Sequence, residues 1–322
     1  KPSPGEETYI FKDTTSIDDA SGDEVWIPGG FGIDEESATD ADDGIVITDA
    51  KGNEFVWIPV PDYTTMYEDT VGSAKLTGVE TTTSVYSKLR VRSGDSYTVT
   101  PPGQTTGIRE PDVLSSYDTD AQYYQDILGY GSTKLMADAF VDEYTATYNS
   151  IKKYKGFYIG RYELTGTVSE PTVQKGQEVL TTSSSQAGNW YGMKKACSNI
   201  VSSSYAQSEM IYGNQWDEVM AWLIKTGGKT DSEVNSNSSS WGNYSGTKRS
   251  SGYDEAWKAN NIYDLAGNCY DWTQEAYNTD YRVGRGGDYS SNGSYSPASD
   301  RYHDFPSNSF SNGSARSALY IK

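Results

Sequence analysis

The chain has 322 residues, enough for one large domain or two ordinary ones. Only 35% of them are hydrophobic, and 8 Trp with 27 Tyr shift the burden of burial from aliphatic to aromatic side chains. Lys plus Arg number 26 against 45 Asp plus Glu, a net charge of −19 that repels nucleic-acid backbones and anionic membranes; the longest apolar runs, such as Met220–Ile224, are too short to span a bilayer, so neither nucleic-acid binding nor membrane insertion is expected.

The chain opens Lys-Pro-Ser-Pro-Gly-Glu-Glu, with neither an initiator Met nor an apolar signal segment, which suggests a processed or trimmed start. Residues 1–24 are acidic, lack an apolar pattern and read as a leader or the remnant of a linker. A folded domain is expected from 25 to 322. Val25-Trp26-Ile27-Pro28 and Ile45-Val46-Ile47 read as short strands, and Asp49-Ala50-Lys51-Gly52-Asn53 as a turn into the strand Glu54–Pro59. Asp40, Asp42 and Asp43 lack the spacing of an EF-hand loop and read as a solvated acidic turn. Residues 62–130 are rich in Thr, Tyr, Ser and Asp without a readable role, and 62–135 is expected to be an insertion.

Met136, Phe140, Tyr144, Tyr148 and Ile151 recur about every four residues, which predicts a helix running to Lys153. Gly156–Glu163 then alternates like a half-buried strand. Trp190, Met193, Cys197 and Ile200 form one helical stripe. Trp216, Val219, Met220, Leu223 and Ile224 form another, with Asn214 placed to cap it and Gly227-Gly228 to end it. Residues 231–250 read as Ser/Asn/Gly-rich loop, while Tyr281-Arg282-Val283 and Ala318–Ile321 read as strands. One His and two Cys cannot assemble a zinc site of three or four N/S ligands or a His-based triad, leaving His303 aside; Cys197 and Cys269 read as buried small hydrophobes, with a disulfide as the alternative.

Between these last two strands lies the most unusual stretch. From Asp288 to Ser314, twenty-seven residues contain no Val, Leu, Ile, Met, Lys or Glu. Such a segment cannot build core and must be held on the surface by something else. Tyr289, Tyr295, Tyr302, Phe305 and Phe310 punctuate it, and Tyr, Ser, Gly and Asn on a rigid frame is the composition of recognition loops. The plainer reading is a long Ser/Asn-rich loop with a few packed aromatics.

Several segments together resemble one family. Asn261-Ile262-Tyr263-Asp264-Leu265-Ala266-Gly267-Asn268-Cys269-Tyr270-Asp271-Trp272 is similar to the N-x-Y-D-M-A-G-N-V-W-E-W motif of formylglycine-generating-enzyme-type domains, and Arg282–Gly287 to the R-V-x-R-G-G strand that follows it. Gly156–Glu163, Gln215-Trp216-Asp217 and the Ile27-Pro28 and Ile58-Pro59 strands resemble further family segments in the same order. The resemblance covers about 25–60 and 136–322. It implies an α+β architecture of the C-type lectin fold, with short strands, about three helices and much irregular loop. Within the motif, Gly267 permits a tight turn, Leu265 and Trp272 pack inward, and Asp264, Asn268 and Asp271 hydrogen-bond loop backbone. Some family members bind calcium nearby; structural hydrogen bonding without a cofactor is the reading adopted here, with a structural calcium as the alternative. Oxidases of the family use a cysteine pair near the C-terminus, whereas no Cys follows Cys269 here, so catalysis of that kind is not expected.

The C-terminal region, 282–322, resembles something narrower, the variable proteins of diversity-generating retroelements, which use the same fold as a display scaffold. Randomised adenines there turn asparagine-type codons into Tyr, Asp, His, Ser, Phe or Gly. The resemblance implies varied, ligand-contacting positions at Gly284, Asp288, Ser290, Ser291, Tyr295, Ser296, Asp300, Tyr302, His303, Asp304, Phe305, Asn308, Phe310, Ser311 and Asn312. Arg285, Gly286, Gly287, Pro297, Arg301, Pro306 and Arg316 would be scaffold. The expectation is therefore a non-enzymatic recognition protein at a bacterial cell surface or on a phage particle, binding a protein or glycan target on a cell or particle. Tyr295, Tyr302, Phe305 and Phe310 would anchor that contact, and His303 would lend it modest pH dependence. A fixed carbohydrate-binding lectin is the second reading, and a family-type oxidase with relocated cysteines the third.

Overall fold

The computed structural model of the chain describes residues 9–34, 36–63, 66, 89–93, 96–100, 127–131, 133–184, 187–276 and 281–322. Among these the protein is mixed α+β, with short strands outnumbering helices. β1 (Thr15–Asp18) pairs antiparallel with β2 (Glu24–Ile27), and Phe11 exchanges backbone hydrogen bonds with Gly30 and Phe31. Val25 and Ile27 are fully buried. Residues 9–24, expected as a leader, are thus tied to the fold. Their backbone completes a small sheet, and the buried carboxylate of Asp19 accepts from the N–H groups of Ser21, Asp23 and Ala41.

A six-stranded sheet carries the core. β3 (Phe31–Asp34), β4 (Val46–Asp49) and β5 (Glu54–Pro59) run antiparallel in sequence. A hairpin of β6 (Leu89–Ser93) and β7 (Ser96–Thr100) follows within the expected insertion, most of which lies outside the described residues. Helix α1 (Thr133–Tyr154) then leads into β8 (Gly156–Gly160), which pairs with β5. β9 (Thr165–Gly166) and β10 (Pro171–Thr172) form a short ribbon. After helix α2 (Trp190–Asn199), β11 (Ala206–Met210) pairs with the last strand of the chain, which in turn pairs with β8.

Side chains alternate along a strand, so a sheet covered on both faces needs apolar residues at successive positions. β5 meets this demand: Phe55 and Trp57 enter one buried cluster, Val56 and Ile58 the other. β8 divides likewise, with Tyr158 on one side and Phe157 and Ile159 on the other. Helix α2 covers the first face through Trp190, Met193, Ala196 and Cys197. Helix α3 (Gly213–Lys225) covers the second through Trp216, Val219, Met220 and Leu223, followed by the short α4 (Asp231–Asn235). The α3 stripe matches its sequence pattern, but the cap does not. Gln215 Oε1 accepts from the backbone N–H of Tyr212 at 2.9 Å, while Asn214 lies within the first turn and donates to the Tyr144 hydroxyl.

The second sheet grows from the motif segment. β12 (Lys258–Ala259) and β13 (Ile262–Tyr263) lead into β14 (Tyr270–Ala276), which pairs antiparallel with β15 (Arg282–Arg285). β16 (Arg301–Asp304) adds to β15, and β17 (Gly313–Ala315) runs parallel to β14, giving the order β16-β15-β14-β17. Asn260, Asn261, Asp264 and Asn268 all have left-handed backbone, which Asn and Asp tolerate best among side-chain-bearing residues. Gly267 shares it, with a φ of 69°, and its missing Cβ leaves room for the backbone of Asn243. Asp264 accepts from Gly252 N–H, and Asn268 exchanges bonds with the backbone of Arg249, both as expected. Asp271 instead accepts from Arg316.

Arg316 joins the two sheets. It separates β17 from β18 (Ser317–Ile321), and its guanidinium donates to Asp271 and to the carbonyls of Gly160, Tyr263 and Asp264. Glu163, Asp264, Asp271 and Arg316 are all buried, three carboxyls around one guanidinium. Burial pushes Asp264 up to about 6 and holds Glu163 well above the usual carboxylate range.

Candidate functional site

The stretch from Asp288 to Ser314 supplies β16 and most of β17, the outer strands of the second sheet, and residues elsewhere in the fold hold its backbone. Phe310 N–H donates to Thr182 Oγ1 at 2.7 Å, and Phe310 O accepts from Ser183 N–H and from Thr182 Oγ1. Trp190 N–H donates to Pro306 O, and Tyr270 N–H to Asn312 O. On the other side, Tyr244 donates to Ser296 O and the indole of Trp216 to Ala298 O. The segment is therefore anchored by hydrogen bonds to its backbone and by a few buried side chains, those of Ala298, Ser299 and Arg301 among them, which leaves other side chains free of that task.

Beneath β16 lies a set of buried ion pairs. Arg301 donates to Glu275 Oε1 at 2.8 Å and to Asp217 Oδ2 at 3.0 Å. Arg285 pairs with the same two carboxylates. Two guanidinium groups balance two carboxylates, so the charges are compensated in place. Strand alternation sends Arg301 toward the core and Tyr302 to the opposite side. There the Tyr302 ring lies 5.0 Å from that of Tyr270, and Phe310 closes a third side at 6.4 Å from Tyr302.

Tyr270 lies across the sheet because its neighbours are glycines. A Cβ at Gly284 would stand 2.6 Å from its ring, and one at Gly313 2.8 Å. Gly287, with a φ of 73°, brings its backbone against Ser296 O in a way no side chain allows. Together these residues floor a pocket of about 110 Å³, lined by Tyr270, Gly287, Asp288, Ser296, Asp300, Tyr302, Phe310 and Asn312. Tyr270 is 3% exposed, and its hydroxyl is buried with no hydrogen-bond partner among the described residues. Burial, reinforced by the nearby Tyr302, Asp304 and Asp288, raises that hydroxyl above its ordinary range.

Six of the fifteen implied contact residues thus line one pocket: Asp288, Ser296, Asp300, Tyr302, Phe310 and Asn312. Ser290 and Ser291 sit behind it, bonded to Asp288 and to Ser296. Asp304 accepts from the hydroxyl of Tyr302 at 2.6 Å, from Phe305 N–H and from Asn308 Nδ2, so it organises the turn as much as it faces outward. His303 and Phe305 form a second group around Tyr281, whose ring lies 4.5 Å from Phe305 and 5.3 Å from His303. Burial lowers the His303 imidazole from its usual value, against the opposing pull of Asp304. Tyr295 and Ser311 are exposed and outside the pocket lining. Tyr295, Tyr302 and Phe305 are 65%, 42% and 41% exposed.

Gly284 departs from the expectation. It is buried on β15 under the Tyr270 ring, so it shapes the site by lacking a side chain. The implied scaffold residues Arg285, Gly286, Gly287, Pro297 and Pro306 are buried, as is the Arg316 side chain. Tyr270, Tyr281 and Thr182 join the site without a sequence signal for that role. Tyr270 hid inside a motif read for its packing, and Thr182 carries no local signal. Cys197 and Cys269 are both buried free thiols, raised by burial away from the thiolate form. Among the described residues, no group of three or more His, Cys, Asp or Glu stands close enough to hold a metal ion.

No family model matches the chain, and no curated protein does. Among solved structures, Treponema denticola variable protein 1 is similar at a TM-score of 0.30 and 12% identity, over 95% of this chain and 99% of that one. A crystal structure of CarF is similar at a TM-score of 0.33 and 12% identity, over 52% of this chain and 87% of that one. At these values individual residues do not correspond.

Proposed function

We propose that this chain is a non-enzymatic recognition protein, and that the 288–312 stretch is its diversified contact surface on a scaffold of the C-type lectin type. The observation that carries the reading is a division of labour within one strand. Arg301 is buried in compensated ion pairs, while its neighbour Tyr302 is 42% exposed beside Phe310 and Tyr270. Stability rests on one set of residues and contact on another, which is what a surface open to sequence change requires. Exposed Tyr and Phe on a fixed frame supply contact area at small entropic cost, and Ser, Asn and Asp supply adaptable hydrogen bonds. In this reading the two cysteines are core, and the target is a protein on the surface of a cell or particle, met outside the cell that makes the chain.

The test is a display library of the full chain, randomised at Ser290, Tyr295, Tyr302, Asp304, Phe305, Asn308 and Ser311 and selected against several unrelated folded proteins. Specific binders to more than one target, drawn from a library whose members mostly fold, are the expected result. A library in which most members fail to fold would contradict the reading.

A further inference from the structure

The pocket at the centre of this face has a chemistry of its own. It is far smaller than the roughly 300–1,000 Å³ of cofactor and drug-sized sites, and so suits one side-chain head rather than a ring system. Its walls are the aromatic rings of Tyr270, Tyr302 and Phe310 together with Asp288 and Asp300, and no Lys, Arg or His lines it. Asp304 stands immediately behind Tyr302, bonded to its hydroxyl. Aromatic faces and carboxylates both attract cations. The Tyr270 hydroxyl, on a ring that lines the pocket, has no hydrogen-bond partner among the described residues, which leaves it able to accept from an incoming donor.

From this arrangement we infer that the pocket receives a lysine or arginine side chain of the partner protein. The inference rests on the recognition reading above and specifies what that face grips. The ammonium or guanidinium enters between the rings of Tyr302 and Phe310, donates to the Tyr270 oxygen and is neutralised by Asp288 and Asp300. The chain's net charge of −19 favours encounter with basic partners at long range.

The experiment is a ¹H–¹⁵N NMR titration of the full chain with N-acetyl-lysine methylamide, N-acetyl-arginine methylamide, the uncharged N-acetyl-norleucine methylamide, putrescine and methyl α-glucoside. Saturable shifts at Gly287 and Asn312 with the lysine or arginine amide are expected, at least tenfold tighter than with norleucine. Asp288→Asn with Asp300→Asn should weaken that binding about tenfold, and Tyr270→Phe severalfold, with near-UV circular dichroism unchanged. Equal binding of norleucine, or no saturable binding of either cationic amide, overturns the inference. Tighter binding of putrescine assigns the pocket to free amines, and tighter binding of the glucoside assigns it to a sugar; either also overturns it. Failure of both cationic amides leaves the recognition reading standing, because the library selection tests that reading separately.

Discussion

Arg301 donates from Nε to Glu275 Oε1 at 2.8 Å, both side chains buried, from the strand position next to the exposed ring of Tyr302. One residue step on β16 therefore separates a group the fold cannot lose from one it does not need. Arg301→Ala leaves Glu275 and Asp217 with an uncompensated buried charge, and should cost about 3–5 kcal/mol of unfolding free energy in urea titration. Tyr302→Ala with Phe305→Ala should cost about 1 kcal/mol each or less, the scale of the exposed aromatic pairs with Tyr270 and Tyr281, while abolishing target binding. A collapse of stability in the double variant would place these rings in the core.

Gly284 offers a second contrast. Because a Cβ there would meet the Tyr270 ring at 2.6 Å, Gly284→Ala is expected to displace the floor of the pocket. The predicted cost is about 1–3 kcal/mol, the usual range for overpacking, with a changed aromatic near-UV signal. An unchanged spectrum and midpoint would show that Tyr270 is not held by the two glycines.

Thr182 links the fixed and exposed parts of the site. Thr182→Val keeps the side chain's shape but removes the oxygen that accepts from Phe310 N–H and donates to Phe310 O. A loss of about 1–3 kcal/mol should follow, with faster amide exchange at Phe310. Unaltered exchange there would mean the neighbouring Ser183 bond alone secures the loop.

Asp264 makes stability depend on pH in a direction opposite to most paired carboxylates. Its folded value is pushed up to about 6, above an ordinary value of 3.8, chiefly by burial. The unfolded chain therefore releases this proton first, and the stability the protonated group confers is full below pH 4, is lost as pH rises through about 6, and changes little above that. Asp264→Asn keeps the acceptor for Gly252 N–H and tolerates the left-handed backbone of this position. That variant should gain about 2–3 kcal/mol at pH 7 and flatten the decline between pH 4 and 6 in urea unfolding curves. A destabilised variant at pH 7 would show that the carboxylate is needed as a partner of Arg316.

Much of the frame was readable because its signals are local. The α3 stripe and the Ile-Pro strands follow from a period or a turn requirement within a few residues, while the glycines and arginines around β15 were legible only through the family resemblance. The site was less legible. β16 reads Arg-Tyr-His-Asp, with no apolar alternation, so the strand that splits the contact residues into a Tyr302 group and a Phe305 group could not be seen. Gly284 resembles a varied position by type, and only the neighbouring ring shows why it is empty. The acidic residues 9–24 look like linker because few apolar side chains, Phe11 and Ile17 among them, tie them to the core, and the buried carboxylate of Asp19 has no sequence signal. The three carboxyls around Arg316 are spread over a hundred residues of sequence, and their convergence is a property of the two-sheet packing.

The most direct measurement is deep sequencing of the 3′ end of this gene across its source population. The account predicts substitutions concentrated at exposed and pocket-lining positions such as Tyr295, Tyr302, Phe305 and Phe310, with Arg285, Arg301, Arg316 and β18 unchanged. A uniform sequence from 288 to 314 would contradict it and assign the face to a single fixed ligand.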